Sequence, residues 1–156
     1  MEKVRGFEIA KGFENKGINL PERKTKYSAG YDVEAAEDVI IPSFKKGIKP
    51  TLVKTGIKAY MQDKEYLMLV NRSSNPGKKG LILSNSVGII DKDYYGNEEN
   101  DGHIMFAVWN FKDEDIKVEK GERIGQGIFQ KYLVTDDDAS TAKSSIRGGG
   151  FGSTNK

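Results

Sequence analysis

Apolar residues in this chain occur in short stretches, and this feature restricts the possible folds more than any other. The stretches are rich in β-branched and aromatic side chains, which favour β-strands. They span residues 39–41, 51–53, 66–70, 81–83, 103–111 and 123–134. Turn signals built from Gly, Pro, Asn and Asp separate them, and no long segment has the 3.6-residue apolar period of a helix. Many short strands with regular turns predict an all-β sandwich or barrel.

The amino-acid composition excludes several classes of function. The chain has no cysteine and a single histidine, His103. Disulfides, Cys-ligated zinc, iron–sulfur clusters and thiol catalysis are therefore excluded, and a catalytic triad or a multi-histidine metal site is not expected. Lys and Arg total 25 against 23 for Asp and Glu, a balance that argues against direct nucleic-acid binding. We expect His103 to lie on the surface, in a loop tip.

The sequence carries no signal for a membrane segment. The longest strongly apolar run, residues 66–70, is too short to cross a bilayer, and the N-terminus lacks the apolar core of a signal peptide. The length of 156 residues fits one domain. The sequence therefore predicts a single soluble domain in the cytoplasm.

Two segments differ from ordinary strands and loops. Residues 104–109 are apolar on both alternating faces, which fits either a central sandwich strand or a strand between a core and a subunit interface. The C-terminal segment is polar over 135–145 and then places Arg147 and Phe151 among glycines and hydroxyls. It is either a frayed terminus or a nucleotide-binding segment, because Arg, hydroxyls and glycine amides bind phosphate while an aromatic ring stacks on a base.

Four further positions carry side chains suited to phosphate chemistry. Arg72 precedes a helical turn over 73–79 that a serine would cap, and it fits either an anion site or an ordinary turn. Asp91 follows an apolar run, where a carboxylate is either a general base for water or part of a turn. Asp32 lies beside a small-residue turn and is either structural or able to orient a metal-bound water. Gln126 alternates with isoleucines on a predicted buried face, so it needs a backbone, ligand or subunit partner.

The order and spacing of these segments resemble the five motifs of the trimeric deoxyuridine triphosphatase (dUTPase) family. The resemblance runs from about residue 18 to the C-terminus, and the five ordered matches together are far more specific than any one of them. The matching segments are 29–33, 72–74, 85–94, 121–126 and 147–154, with a further match over 105–110.

This resemblance implies a distorted, jelly-roll-like antiparallel β-barrel of the β-clip type over residues 1–134, followed by a flexible arm over 135–156. It implies a homotrimer with shared active sites, in which one subunit supplies motifs one, two and four, a second supplies motif three, and a third lends its C-terminal arm. The implied reaction is hydrolysis of dUTP to dUMP and pyrophosphate, which limits uracil incorporation into DNA and supplies dUMP for thymidylate synthesis.

The resemblance also implies roles for individual residues. Asp91 would bind substrate and activate the water that attacks the α-phosphorus, while Mg²⁺ would hold the phosphates and contact Asp32 through water. Tyr94 would pack under the deoxyribose and exclude a 2′-hydroxyl, and Phe151 would stack on uracil. The phosphate-binding residues would be Arg72, Ser73, Ser74, Gln126, Arg147, Gly152, Ser153 and Thr154. The uracil pocket would be formed by a tight hairpin over 85–94 and would contain Asn85, Gly88, Ile90 and Met105.

Two departures from the family pattern leave alternatives open. Ser74 stands where many members have Gly, and residues 97–103 resemble a short insertion beside the nucleotide pocket. The insertion is either a harmless loop or a binding site for a regulatory protein partner. A further alternative is the related dCTP deaminase, whose chemistry needs a Glu placed at the base, whereas the third motif here matches the hydrolase form.

Overall fold

The computed structural model describes residues 1–138, and β-strands dominate this part of the chain. The strands are β1 (Gly6–Ile9), β2 (Tyr31–Glu34), β3 (Val39–Ile41), β4 (Thr51–Lys54), β5 (Ile57–Tyr60), β6 (Glu65–Val70), β7 (Leu81–Leu83), β8 (Gly88–Asp91), β9 (Met105–Asn110), β10 (Ile116–Val118) and β11 (Arg123–Lys131). Two short 3-10 helices span Phe44–Lys46 and Lys92–Tyr94, and a π-helix spans Asn75–Lys79. No helix among the described residues is long and apolar enough to cross a membrane. The all-β prediction is confirmed.

The strands pair antiparallel in four separate sheets. The largest sheet has the strand order β2-β11-β6-β8, and the second has the order β4-β9-β7. Two ribbons complete the set, one formed by β1 and β5 and the other by β10 and β3. The described strands therefore do not close into a single barrel. The predicted barrel is confirmed only as an all-antiparallel arrangement of short strands.

One continuous hydrophobic core includes side chains from both larger sheets. The four-stranded sheet contributes Val33 and Leu67, and the three-stranded sheet contributes Val53 and Phe106, all of them fully buried. The Phe106 ring lies against the backbone of β11, where a Cβ at Gly125 would be 2.3 Å from Phe106 Cε1. Gly125 thus allows the close approach that holds β11 in place, and the next residue of β11 enters the candidate site.

The sequence predicted six of these strands closely and missed the others. The predicted segments correspond to β3, β4, β6, β7, β9 and β11, although β9 begins only at Met105 and β11 ends at Lys131. The missed strands β1, β2, β5, β8 and β10 have three or four residues each, and pairing with distant segments defines them. Such short segments carry too little local signal, because strand formation depends on the neighbouring strand.

Strand β9 was predicted to be apolar and buried on both faces, and within the described chain only its inner face is buried. Phe106, Val108 and Asn110 point inward and are buried, whereas the alternate residues are partly exposed. On the outer face, Trp109 pairs with Ile82 and Ala107 pairs with Leu52, which is 46% exposed. An apolar strip therefore covers the outside of the three-stranded sheet, consistent with the interface alternative.

Candidate active site

Residues from three predicted motifs meet in the four-stranded sheet. There β11 lies between β2 and β6, and Gln126 pairs with Asp32 on one side and with Val70 on the other. Arg72 follows β6 by two residues, and its Nε lies 3.3 Å from Oδ1 of Asp32. The structure thus brings together the side chains predicted from the first, second and fourth motifs.

The Asp32 carboxylate lies between two guanidinium groups. Its Oδ1 contacts Arg72, and its Oδ2 lies 3.4 Å from Nη1 of Arg123. Only 13% of the Asp32 side chain is exposed. Two guanidinium groups share this one carboxylate, and a guanidinium matches the geometry of an anionic phosphate or carboxylate ligand. Arg123 was not predicted as a site residue, and the signal for it was its place in the fourth motif, three residues before Gln126.

A β-bulge in β11 redirects the side chain of Gln126. The register between β11 and β2 shifts between Arg123 and Gly125, and a bulge of this kind changes the direction of the side chains that follow it. Gln126 is therefore partly exposed, whereas Ile124 is buried. This corrects the predicted buried position of Gln126. Its Nε2 donates a hydrogen bond to the carbonyl oxygen of Asn71 at 3.1 Å, so the required partner is a backbone group.

Gly30 provides the space that the Gln126 side chain occupies. A Cβ at position 30 would lie 2.0 Å from Oε1 of Gln126 and 2.8 Å from its Cδ. A residue larger than glycine would therefore displace the carboxamide from its bond to Asn71. The glycine of the first motif thus positions the glutamine of the fourth.

The second motif leads into the π-helix. Ser73 is exposed and Ser74 is half-buried. Ser74 occupies the N-cap position, so the predicted helical turn with a serine at its start is confirmed, but its side chain makes no capping hydrogen bond. Asn75 anchors the helix instead. It is 4% exposed, and its Nδ2 donates to the carbonyl oxygen of Ile124 at 2.6 Å. Asn75 was not predicted as a site residue, and its hydrogen bond connects the Arg72 segment to β11.

The third motif occupies a different part of the sheet. Asp91 ends β8, is partly exposed and pairs with Tyr66 of β6. The predicted hairpin over 85–94 is not formed, because β7 pairs with β9 whereas β8 pairs with β6. This segment instead turns the chain from one sheet to the other. Asn85 is exposed at this corner, Gly88 is buried against Leu69, and Ile90 is half-buried.

Tyr94 and Met105, which were predicted to line the nucleoside pocket, lie near a buried histidine. Tyr94 is 5% exposed, and its hydroxyl donates to the carbonyl oxygen of His103 at 2.6 Å, while Met105 is half-buried at the start of β9. His103 is 7% exposed and accepts a hydrogen bond from the Gly56 N–H at 2.9 Å. The predicted surface position of His103 is therefore wrong. Burial lowers the pKa of His103 to about 4, and the positive charge of Lys54 adds to this effect.

The metal and the C-terminal arm are the two remaining predictions about the site. Among residues 1–138, no group of three or more His, Asp or Glu side chains is arranged to hold a metal ion. A protein cage for a metal is therefore absent from the described part of the chain. The predicted arm residues Arg147, Phe151, Gly152, Ser153 and Thr154 lie outside the described residues.

Comparison with known proteins gives consistent results. The family model of the dUTPases matches residues 16–155. The deoxyuridine 5'-triphosphate nucleotidohydrolase of Lactococcus lactis subsp. lactis is 55% identical over 152 residues, covering 97% of this chain and 98% of that protein. The protein of the same name from Psychrobacter cryohalolentis is 35% identical over 143 residues, covering 89% of this chain and 88% of that protein.

Solved structures agree with this result. The crystal structure of the dUTPase from Streptococcus mutans has a TM-score of 0.78 and 46% sequence identity, and the match covers 84% of this chain and 98% of that one. The dUTPase from phage phi11 of S. aureus has a TM-score of 0.69 at 17% identity, which supports the fold alone. The match of the family model to almost the whole chain and the close relationship to a named nucleotidohydrolase show that this chain belongs to the dUTPase family.

Proposed function

We propose that this member of the dUTPase family hydrolyses dUTP to dUMP and pyrophosphate. The observation that carries the proposal is the convergence of Asp32, Arg72 and Gln126 in the four-stranded sheet of a chain from this family. A phosphate-binding group formed by three separate motifs is expected for a nucleoside triphosphate and has no purpose in a purely structural β-protein.

Asp91 is the proposed general base. It would orient one water molecule and accept its proton while the water oxygen forms a bond to the α-phosphorus. The bond from that phosphorus to the oxygen bridging to the β-phosphate breaks, and pyrophosphate leaves. Water is a weak nucleophile at neutral pH, so a positioned carboxylate contributes to the rate. An in-line arrangement of the attacking and leaving oxygens then depends on how the phosphates are held.

The phosphate chain is proposed to lie on the second and fourth motifs. Arg72 would bind phosphate oxygens through its guanidinium fork, because this planar group matches the geometry of phosphate. Ser73, with its exposed hydroxyl, would contact the bridging oxygen of the leaving pyrophosphate, and Ser74 and Gln126 would bind further oxygens. The contact between Arg72 and Asp32 keeps the guanidinium in place before substrate arrives.

Uracil and deoxyribose would be recognised by the third motif and the start of β9. The exposed corner at Asn85 and the backbone near Gly88 and Ile90 would read the uracil edge. Tyr94 would form the floor under the deoxyribose, where a 2′-hydroxyl has no room. Met105, half-buried, would line the same pocket.

Asp32 and the substrate phosphates would together hold Mg²⁺. In such sites this ion keeps several waters and binds through one or two carboxylates together with the substrate phosphates. Asp32 fits that pattern, because it is a single carboxylate beside the proposed phosphate site and no cluster of three such groups is arranged for a metal in residues 1–138. Asp32 would hold a metal-bound water, and the bound ion would supply charge neutralisation on the phosphates.

A homotrimer with shared sites is also proposed. The outer face of the three-stranded sheet exposes apolar side chains such as Leu52, and Ile89 on the other large sheet is 53% exposed. Burial of such strips between subunits would stabilise an oligomer. Residues 1–134 would form the β-domain, and residues 135–156 would form an arm whose Arg147, Phe151, Gly152, Ser153 and Thr154 complete a neighbouring site.

Pyrophosphate release with Mg²⁺ tests the reaction, with dUTP, dTTP, dCTP and UTP compared on one sample. We expect turnover of dUTP alone. An Asp91→Asn variant should lose at least about a hundredfold in kcat, whereas Asp113→Asn, at an exposed acid in a distant loop, should retain normal turnover. Ammonia release from dCTP, or normal turnover by a folded Asp91→Asn variant, would contradict the proposal.

A further inference from the structure

The loop formed by residues 97–103 turns its polar side chains inward. Asn97 is 8% exposed, and its Nδ2 donates to the carbonyl oxygen of Tyr94 at 2.9 Å. Its Oδ1 accepts hydrogen bonds from the backbone N–H groups of Glu99 and Asn100 at 3.0 and 3.1 Å. The exposed members of the loop are Glu98 and Glu99. The loop therefore has an internal role that a solvated insertion would lack.

The hydroxyl of Tyr94 is held from two sides by this loop. It donates to the carbonyl oxygen of His103 at 2.6 Å and accepts a hydrogen bond from Nδ2 of Asn100 at 2.9 Å. Asn100 is itself fixed, because its Oδ1 accepts from Asn97 Nδ2 at 2.8 Å and from the Gly102 N–H at 3.1 Å. The Asn100 amide nitrogen thus holds the Tyr94 hydroxyl, and the amide oxygen keeps the Asn100 side chain in place.

The loop is anchored to the rest of the domain at its far end. Oδ2 of Asp101 accepts from the backbone N–H of Lys11 at 2.9 Å and from Nζ of Lys58 at 2.7 Å. Gly102 has φ of +86°, and a Cβ there would lie 2.8 Å from the carbonyl oxygen of Tyr94. The loop backbone therefore packs directly on the Tyr94 segment, and movement of one requires movement of the other.

We propose that the 97–103 loop sets the sugar specificity of the enzyme, with Asn100 as the positioning residue that fixes the Tyr94 ring. The proposal rests on the proposed place of Tyr94 under the deoxyribose. Discrimination against a 2′-hydroxyl requires that the Tyr94 ring keeps its position when ribose, the larger sugar, binds. Two hydrogen bonds at the hydroxyl, one of them from Asn100, remove that freedom. A ribonucleotide is then rejected because the ring cannot shift to make room for it.

The test measures kcat/KM for dUTP and for UTP in the full-length enzyme. Asn100→Ala should lower the ratio of kcat/KM for dUTP to kcat/KM for UTP about tenfold, mainly because kcat/KM for UTP rises. The kcat for dUTP should stay within about threefold of the unmodified value. Asn100→Leu has nearly the same size, removes the donor to Tyr94 and offers its hydroxyl no new acceptor, and it serves if the alanine variant does not fold. Glu99→Ala, at an exposed side chain of the same loop, should leave the ratio unchanged.

A double-mutant comparison separates positioning through Tyr94 from a general structural effect. In a Tyr94→Phe background, Asn100→Ala should change the ratio no further, since the hydroxyl through which it acts is gone. The proposal would be overturned if a folded Asn100 variant kept the dUTP-to-UTP ratio of kcat/KM unchanged. It would also be overturned if Asn100→Ala lowered this ratio equally with Tyr94 and with Phe at position 94. Neither result would affect the proposed function. Absence of dUTP turnover by the unmodified enzyme would overturn the proposed function, and this proposal with it.

Discussion

Asp91 and Gln126 point to the same side of the four-stranded sheet but lie toward opposite ends of strand β6. Asp91 pairs with Tyr66 and Gln126 pairs with Val70, on the two edges of β6. Four residues of strand separate their Cα atoms by about 13 Å along β6, in addition to two strand spacings across the sheet. The two side chains of one subunit are therefore too far apart to act on the same phosphate group.

This separation predicts that inactive variants complement each other. Asp91→Asn and Arg72→Ala should each be inactive, but a mixture refolded together should regain about a quarter of the unmodified activity. The reason is that a trimer with both kinds of subunit contains one site with an intact Arg72 from one subunit and an intact Asp91 from its neighbour. Pyrophosphate release from dUTP measures the recovery.

The control for complementation is each variant refolded alone, which should remain inactive. Recovery should also be absent when the two native samples are mixed under conditions that prevent subunit exchange. If the refolded mixture stays inactive although mixed oligomers are detected by mass, both residues belong to one subunit's site and the shared arrangement is wrong.

Gly30→Ala should impair substrate binding without unfolding the chain. The new methyl group would meet Oε1 of Gln126 at 2.0 Å, and the flexible carboxamide would leave Asn71 to avoid it. We expect kcat/KM for dUTP to fall about tenfold, mostly through KM. Gly77→Ala is the matched control, because a Cβ there meets nothing within 4 Å. Equal kinetics for the two variants would show that Gln126 has no role in binding.

Asp32→Asn should weaken the response of the enzyme to Mg²⁺. The carboxamide has no charge to orient a metal-bound water, and we expect the Mg²⁺ concentration for half-maximal activity to rise about tenfold. A titration of activity with Mg²⁺ at saturating dUTP measures this. Asp113→Asn, at an exposed carboxylate that pairs with Lys45, should leave the titration curve in place. Identical curves for both variants would remove Asp32 from the metal site.

The stability of the domain should fall in mild acid because of His103. Burial lowers the pKa of His103 from 6.5 to about 4, so the unfolded chain binds this proton more readily than the folded chain. The free energy of unfolding is therefore highest above pH 6.5, where the imidazole is neutral in both states. It decreases as the pH falls from 6.5 toward 4. The loss amounts to up to about 3 kcal/mol.

Thermal unfolding between pH 4 and 7 checks the role of His103. His103→Gln keeps an acceptor for the Gly56 N–H but has no titratable group. Its Tm should depend less on pH across this window than that of the unmodified protein. Parallel pH profiles would assign the acid sensitivity to other groups, such as the Glu65 carboxylate, whose pKa the Arg5 guanidinium lowers.

Local patterns in the sequence were sufficient for the strand-rich fold and for the chemistry-bearing segments. The apolar stretches at β6, β7 and β11 predicted strands, because side-chain type and turn residues act within a few positions of the chain. The motifs around Asp32, Arg72 and Gln126 were identified one by one, and the structure brings these three together.

The sequence alone determined the strand-rich fold class, the family resemblance and the types of side chain available for phosphate chemistry. Only the tertiary structure decided that Gln126 turns outward at a bulge, that His103 is buried and that Asn100 holds Tyr94. These features result from long-range strand pairing and from hydrogen bonds of a loop to segments distant in sequence. Such contacts depend on which segments meet in space, and no local pattern of residue types contains that information.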